Sequence, residues 1–212
     1  MTSDAAGGLS SSGVLAKAAG GRPSPRERLL TAADELFYAE GVNSVGIDRI
    51  IARADVARAS LYSTFGSKDE LIRAYLQHRM SISTARLRAA VEAHDDPRER
   101  LLSVFDAQAA LFARSGYHGC PFNRASAEAL PGTAAAEVPQ EYRRWLAGLL
   151  QELAAAAGAP DPALLGSQLH LLYDGGMQAA NLDRNIAIAA ASRAAAEALL
   201  DAAVAGAGRT QA

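Results

Sequence analysis

Residues 44–71 read SVGIDRIIARADVARASLYSTFGSKDEL, and no other stretch constrains the fold of this chain so closely. Ile47, Ile50 and Ile51 recur at helical spacing until the run stops at Ala54-Asp55-Val56. Asp55 is one of the few residue types whose short polar side chain tolerates the left-handed conformation of a sharp turn. A second short helix follows from about Ala57 to Phe65. Ser67-Lys68-Asp69-Glu70 then forms a capping box that opens another helix, with Leu71, Ile72, Tyr75 and Leu76 on its apolar face. Two short helices joined by a tight turn hold the second one proud of a small domain, the arrangement that delivers a helix into a DNA major groove.

Upstream, Ser24-Pro25-Arg26-Glu27 makes a good helix start, with Pro25 at the first helical position and Glu27 at the capping-box position. Leu29, Leu30, Ala33, Leu36 and Phe37 keep the helical period until Gly41 ends it. Residues 1–22 are rich in Gly, Ser and Ala and lack any such period, which predicts a flexible tail. Downstream of residue 80 the periodicity predicts helices near 78–93, 97–114, 122–131, 139–157, 161–182 and 185–204. No strand-like alternation occurs. The expected fold is all-α: a three-helix helix-turn-helix domain over 23–83, its central motif at about 46–65, then a helical domain over 84–205. A flexible tail is expected over 206–212.

Composition narrows the class. The 212 residues are half apolar and 21% charged, an ordinary balance for a globular chain. Cys120 stands alone, so no disulfide can form within the chain. The first residues lack the pattern of a signal peptide and no run of about 18 apolar residues occurs, so a cytoplasmic protein with no membrane segment is expected. The net charge of −2 does not by itself point to nucleic acid, so any affinity for DNA has to come from a few well-placed cations. There is no Gly-rich phosphate loop, no His-x-x-x-His pair and no Cys-x-x-Cys, and His78, His94, His118 and His170 lack metal-ligand spacing. Neither an enzyme, a cofactor nor a metal site is expected.

The run from Arg26 to Gly41, Ile50 to Val56, Leu61-Tyr62-x-x-Phe65 and Ser67-Lys68-x-x-Leu71 resembles the TetR family of transcriptional repressors over roughly residues 23–83. The resemblance implies a DNA-binding domain of three helices followed by a variable helical domain that dimerises, with a small-molecule effector releasing the operator. Gly119-Cys120-Pro121-Phe122-Asn123 looks like a Gly-Cys motif of one branch of such regulators. Leu172-Tyr173-Asp174-Gly175-Gly176 looks like the Asp-Gly segment that opens the dimerisation helices in many members. Three positions depart from the family pattern: Asp55 replaces the usual turn glycine, Ile51 a small alanine, and Ala57 a serine-like cap.

Within that frame Arg58, in the first turn of the third helix, is placed to bond guanine bidentately; the competing reading is a phosphate contact or a solvated charge. Ala57 and Ala59 leave room for close approach, and Ser60, Ser63 and Thr64 can bond phosphates or base edges. Tyr62 faces away from the core and should meet a phosphate, as the resemblance also implies. Lys68 stands where free backbone N–H groups and the helix dipole favour an anion, a phosphate clamp rather than a plain solvated lysine. Ser44 and Gly46 would touch the backbone of the adjacent strand. A ligand cavity is expected among Phe105, Phe112, Cys120, Asn123, Tyr142, Trp145, His170, Tyr173 and Met177. Cys120 reads as a small buried residue of that cavity, with a redox thiol beside His118 as the sharper alternative. Gly175 and Gly176, with Ile188, Ala195 and Leu199, are candidates for a dimer interface; packing within one subunit is the other reading. The function that fits is a homodimeric, ligand-responsive repressor on a palindromic double-stranded operator, its two reading helices roughly 34 Å or more apart. The alternative is a helical protein-interaction module with degenerate DNA binding.

Overall fold

The computed structural model describes residues 22–209. Of the tail expected over residues 1–22 only Arg22 lies among them, and the last three residues of the chain lie outside. Among the described residues every regular element is a helix: α1 (Pro25–Glu40), α2 (Ile47–Ala54), α3 (Arg58–Phe65), α4 (Lys68–Glu92), α5 (Pro97–Phe112), α6 (Pro121–Ala127), α7 (Ala134–Ala156), α8 (Pro162–Asp183) and α9 (Ala187–Arg209). They form two compact units that part between Tyr75 and Leu76. None of these helices is long and apolar enough to cross a membrane.

The first unit is built around α1. Its N-terminus carries the capping box that the sequence predicts: the Ser24 hydroxyl accepts from the Glu27 N–H, and the Glu27 carboxylate accepts from the Ser24 N–H at 2.8 Å. Leu29, Ala33 and Phe37 are buried along one face of α1 against Ile50 of α2, Leu61 of α3, and Leu71 and Tyr75 of α4. The Phe37 and Tyr75 rings meet at 5.5 Å between centroids. Gly41, at φ 95°, ends α1 as its sequence suggests. Helix α2 starts at Ile47 rather than at Asn43 or Ser44, because Val42 and Val45 are both buried and hold the intervening turn open, leaving Gly46 as the extended N-cap.

In the second unit α7 packs along α8, α8 on α9, and α5 on α9 and α7. Leu101 and Phe105, Leu146 and Leu150, Leu165 and Leu169, and Ala196 supply its interior. Asp96 and Asp161 cap α5 and α8 through the N–H groups of Glu99 and Leu164. The backbones of α7 and α8 approach so closely at Gly166 that a Cβ there would lie 3.0 Å from the Gln151 backbone.

Several boundaries differ from expectation. Helix α4 is continuous from Lys68 to Glu92, with no separate element beginning near 78. No Gly or Pro lies between Gly66 and Pro97 to break it, and the polar stretch after Leu76 interrupts only the apolar stripe. Helix α7 begins at Ala134, a turn before Pro139, because Ala134 to Ala136 are strong helix formers and Pro139 forfeits a single N–H bond. Helix α6 ends at Ala127, short of 131, and α9 runs on to Arg209, past the point where a tail is expected.

Candidate nucleic-acid interface

Asp55 gives the turn between α2 and α3 its sharpness. It sits at φ 51°, ψ 56°, the left-handed region that its side chain tolerates. Arg28 of α1 fixes the same turn from behind, since its Nη1 donates to the carbonyls of Ala54 and Asp55 at 3.1 and 2.6 Å. Leu61 is wholly buried and anchors α3. That leaves Arg58, Ala59, Tyr62 and Ser63 exposed, with Ala57 as an extended N-cap and Ser60 and Thr64 half-buried. Tyr62, 45% exposed, is the large aromatic that this face presents. The Ser63 hydroxyl donates to the Ser60 carbonyl at 3.2 Å, an internal bond that any DNA contact would have to share.

Ser44 and Gly46 are exposed just ahead of α2. Lys68 opens α4 beside the Ser67 hydroxyl, which accepts from the Glu70 N–H at 3.1 Å; its ammonium lies 5.9 Å from the Phe37 ring centre. All ten residues expected to touch DNA therefore fall on α3 or its N-cap, on the approach to α2, or at the start of α4.

The electrostatics of this unit are closely balanced. Residues 22–75 carry eight Lys or Arg and eight Asp or Glu. Arg49 bonds Glu40 through both nitrogens at 2.7 and 2.8 Å, Arg53 bonds Glu35 at 2.7 Å, and Arg58 pairs with Asp48. Sequence reasoning passed over Asp48; its place in the first turn of α2, ahead of a helix that carries Arg58, was the available signal.

In the second unit Phe105, Phe112, Tyr142, His170, Tyr173 and Met177 are buried, and Cys120, Asn123 and Trp145 half-buried. Phe122 stacks on Tyr142 at 4.0 Å, and Trp145 lies 6.1 Å further along, joining α6 to α7. Phe105 meets Tyr173 edge-on at 6.3 Å, joining α5 to α8. Tyr142 comes close to both Tyr173 and Cys120, which draws the aromatic contacts of α6 and α7 toward those of α5 and α8. Gly119, at φ 87°, faces the Asn181 side chain, and a Cβ there would come within 2.9 Å of it. Burial pushes the Cys120 thiol up to about 11, and burial likewise raises the Tyr142 phenol well above its ordinary range.

His170 is drawn the other way. Burial first, then the Arg143 charge, lowers its pKa, against an opposing pull from Asp174. Its Nε2 lies 3.8 Å from the Asp174 carboxylate, too far for a hydrogen bond, and has no bonding partner; Arg143 and Asp174 pair with each other. His170 also lines a cavity of about 300 Å³ between α7 and α8, with Arg143, Gln151, Gly166 and Ser167. The other residues expected in a ligand pocket do not line that cavity.

The two neighbouring glycines of α8 part company. Gly175 is exposed, with nothing near its missing Cβ, whereas Gly176 is buried and a Cβ on it would meet Ser192 Oγ at 2.6 Å and Gln108 Oε1 at 3.0 Å. Gly176 thus serves close packing inside the subunit. Ile188, Ala195 and Leu199 are half-buried on α9, while Leu164, Leu171 and Leu182 stand exposed on α8. Gln108 is wholly buried and its Nε2 donates to the Tyr173 carbonyl at 2.8 Å. Its position on the stripe of Phe105 and Phe112 was a sequence signal that passed unused.

A left-handed turn between two short helices, with the second helix's polar face left open, defines a DNA-binding transcriptional regulator of the helix-turn-helix class. Residues 29–75 match the profile of bacterial regulatory proteins of the tetR family. Over 85% of its length the chain is similar to a TetR-family transcriptional regulator of Streptomyces coelicolor, with 34% identity, 96% of that chain covered and a TM-score of 0.81. A TetR-type regulator of Streptomyces avermitilis is also 34% identical, with 85% of this chain and 98% of that one covered and a TM-score of 0.75. Among curated relatives, the HTH-type transcriptional activator FasR of Mycolicibacterium smegmatis is 37% identical over 86 residues, which span 41% of this chain and 39% of FasR. The HTH-type transcriptional regulator SrpR of Pseudomonas putida is 39% identical over 54 residues, 26% of this chain and 25% of SrpR. The matched segments thus span well under half of either curated relative. The chain belongs to the TetR family, whose members are transcriptional regulators rather than enzymes.

Proposed function

We propose that this regulator is a repressor that binds a palindromic operator as a homodimer and is released by a small-molecule effector. The observation that carries the DNA half is the exposed face of α3, where Arg58, Ala59, Tyr62 and Ser63 stand clear of a fully buried Leu61. In this reading residues 23–83 are the DNA-binding domain and 84–205 the sensing and dimerising one. Arg58 contacts a base edge and Tyr62 a phosphate, while Lys68 and the start of α4 clamp a second phosphate. Ser44 and Gly46 touch the neighbouring strand.

The exposed leucines of α8, Leu164, Leu171 and Leu182, support dimerisation, with Gly175 between them where a second helix can approach closely. An effector is supported by His170, whose buried Nε2 lacks a partner beside a cavity between α7 and α8. Leaving such a group unsatisfied costs roughly 1–3 kcal/mol, which a ligand that bonds it would recover. Binding of effector and of DNA would then be coupled reciprocally.

Fluorescence anisotropy tests this, with the protein, duplexes selected from a random pool, and DNA from upstream of its own gene. The expected result is tight, salt-sensitive binding to selected duplexes with two-fold symmetric half-sites, and a measurable weakening of that binding in Arg58→Ala and Lys68→Ala. Equal weak binding to every duplex overturns it and returns the protein-interaction reading. FasR bears the name of an activator; transcription in vitro from the bound promoter decides the sign here, and a rise on adding protein would sink the repressor half alone.

A further inference from the structure

Arg58 opens α3, and its guanidinium pairs with the carboxylate of Asp48 in the first turn of α2. The two side chains are 57% and 79% exposed, so the pair sits in solvent, where ion pairs add little to stability. Arg22 and Arg28 pair with Asp55 at the turn itself. Arg49–Glu40 and Arg53–Glu35 tie α2 back to α1. Arg58–Asp48 instead links the two helices of the helix-turn-helix across the face that α3 presents.

A carboxylate there has a selective effect. Guanidinium carries five donors in a planar fork, so one edge can stay on Asp48 while the other meets the O6 and N7 acceptors of guanine, which bear no formal charge. A phosphate approaching the same guanidinium brings its negative charge beside that of Asp48 and is repelled. Asp48 also stands two residues after Gly46, where the reading above runs a DNA strand. A misplaced duplex thus meets the repulsion without the guanine contact that offsets it.

We propose that Asp48 is a positioning residue that sets base specificity, turning Arg58 toward a guanine edge and making a phosphate a poor substitute. The inference rests on the reading of α3 as the base-contacting helix. From it follows an unusual sign: removing an acidic residue should make the protein bind more duplexes, each less selectively.

The test measures the full chain, its Asp48→Asn, Asp48→Glu and Arg58→Ala variants, on a duplex chosen by the unmodified protein, on that duplex changed one base pair at a time, and on a random duplex. Asp48→Asn should bind random DNA roughly fivefold more tightly, the size of one unit-charge repulsion at about 4 Å in water. Its base preference should weaken at the same pair as in Arg58→Ala and nowhere else, and Asp48→Glu should restore much of it. Unchanged preference in Asp48→Asn, or an equal loss of affinity for every duplex, overturns the proposal and leaves Asp48 a helix-end acid. Failure of the underlying reading is distinct, since the unmodified protein itself would then select no duplex, and the role of Asp48 falls with it.

Discussion

The Arg28 guanidinium, carried on α1, closes the end of α2 by donating to the carbonyls of Ala54 and Asp55, the residues that make the helix-turn-helix corner. The side chain is 22% exposed, so most of its length is packed. One arginine thus sets where α2 stops and, through the turn, where α3 begins.

Removing that arginine should cost more than a surface charge. Arg28→Ala leaves two carbonyls without a charged donor and is expected to destabilise the protein by about 1.5–3 kcal/mol. Asp55→Gly should act the other way. It keeps the Arg28 bonds to backbone, loses only ion pairs to a carboxylate that is 82% exposed, and relieves left-handed strain of up to about 1 kcal/mol. Urea unfolding midpoints of the two variants check both signs; a less stable Asp55→Gly would mean that the side-chain pairs matter more than the backbone conformation.

Adjacent glycines should give opposite answers. Gly176→Ala drives a methyl into Ser192 Oγ and Gln108 Oε1, and overpacking of this kind costs about 1–3 kcal/mol. Gly175→Ala meets nothing and removes a helix-interior glycine, a gain of about 1 kcal/mol within one subunit. Thermal melts of dilute protein read the first effect, and sedimentation of Gly175→Leu reads whether that open position lies at an interface. An unchanged sedimentation coefficient would remove Gly175 from any dimer contact.

The Cys120 thiol should be sluggish. Held near 11 by burial, it is thiolate in only about one molecule in ten thousand at pH 7, so labelling by a thiol reagent should be slow and rise about tenfold per pH unit. The same displacement bears on stability. The unfolded thiol ionises near its ordinary 9.0 and the folded one near 11, so the contribution of Cys120 is complete below 9 and is lost as pH rises toward 11. Labelling that is fast at neutral pH would instead revive the redox reading.

His170 slopes in the opposite sense. Its folded pKa is depressed by burial and by Arg143, with Asp174 opposing, so the unfolded chain takes up the proton first. Stability should hold above about pH 6.5 and fall as pH drops below it, and His170→Gln should flatten that limb. A limb unchanged in the variant would assign the acid loss to other groups.

The sequence announces its corners better than its lengths. Ser24 with Glu27, Ser67 with Glu70, and Asp161 ahead of Pro162 are local signals, each complete within four residues, and each appears in the structure as a cap. Asp55 in the left-handed turn is legible for the same reason. The length of α4 is less legible because its apolar stripe breaks off after Leu76 and resumes on nearly the same face only at Leu87 and Val91, and an interrupted stripe resembles an ended one. The start of α7 was misplaced because Pro139 reads locally as a helix start while the alanines before it carry little pattern. Side chains that matter through distant partners were the least legible. The inward turn of Gly176 depends on Gln108 and Ser192, which lie on two other helices, and the pairing of Arg58 with Asp48 spans ten residues and a turn.

The near-equality of cations and anions in the first unit has a consequence for how the protein answers to salt. Each arginine that swings from its carboxylate to a phosphate bares an anion, which then gathers a cation from solution. That uptake works against the release of cations from the DNA, which ordinarily makes such complexes fall apart as salt rises. The reading head brings its own counterions, and its hold on DNA should be less sensitive to ionic strength than a count of its arginines suggests.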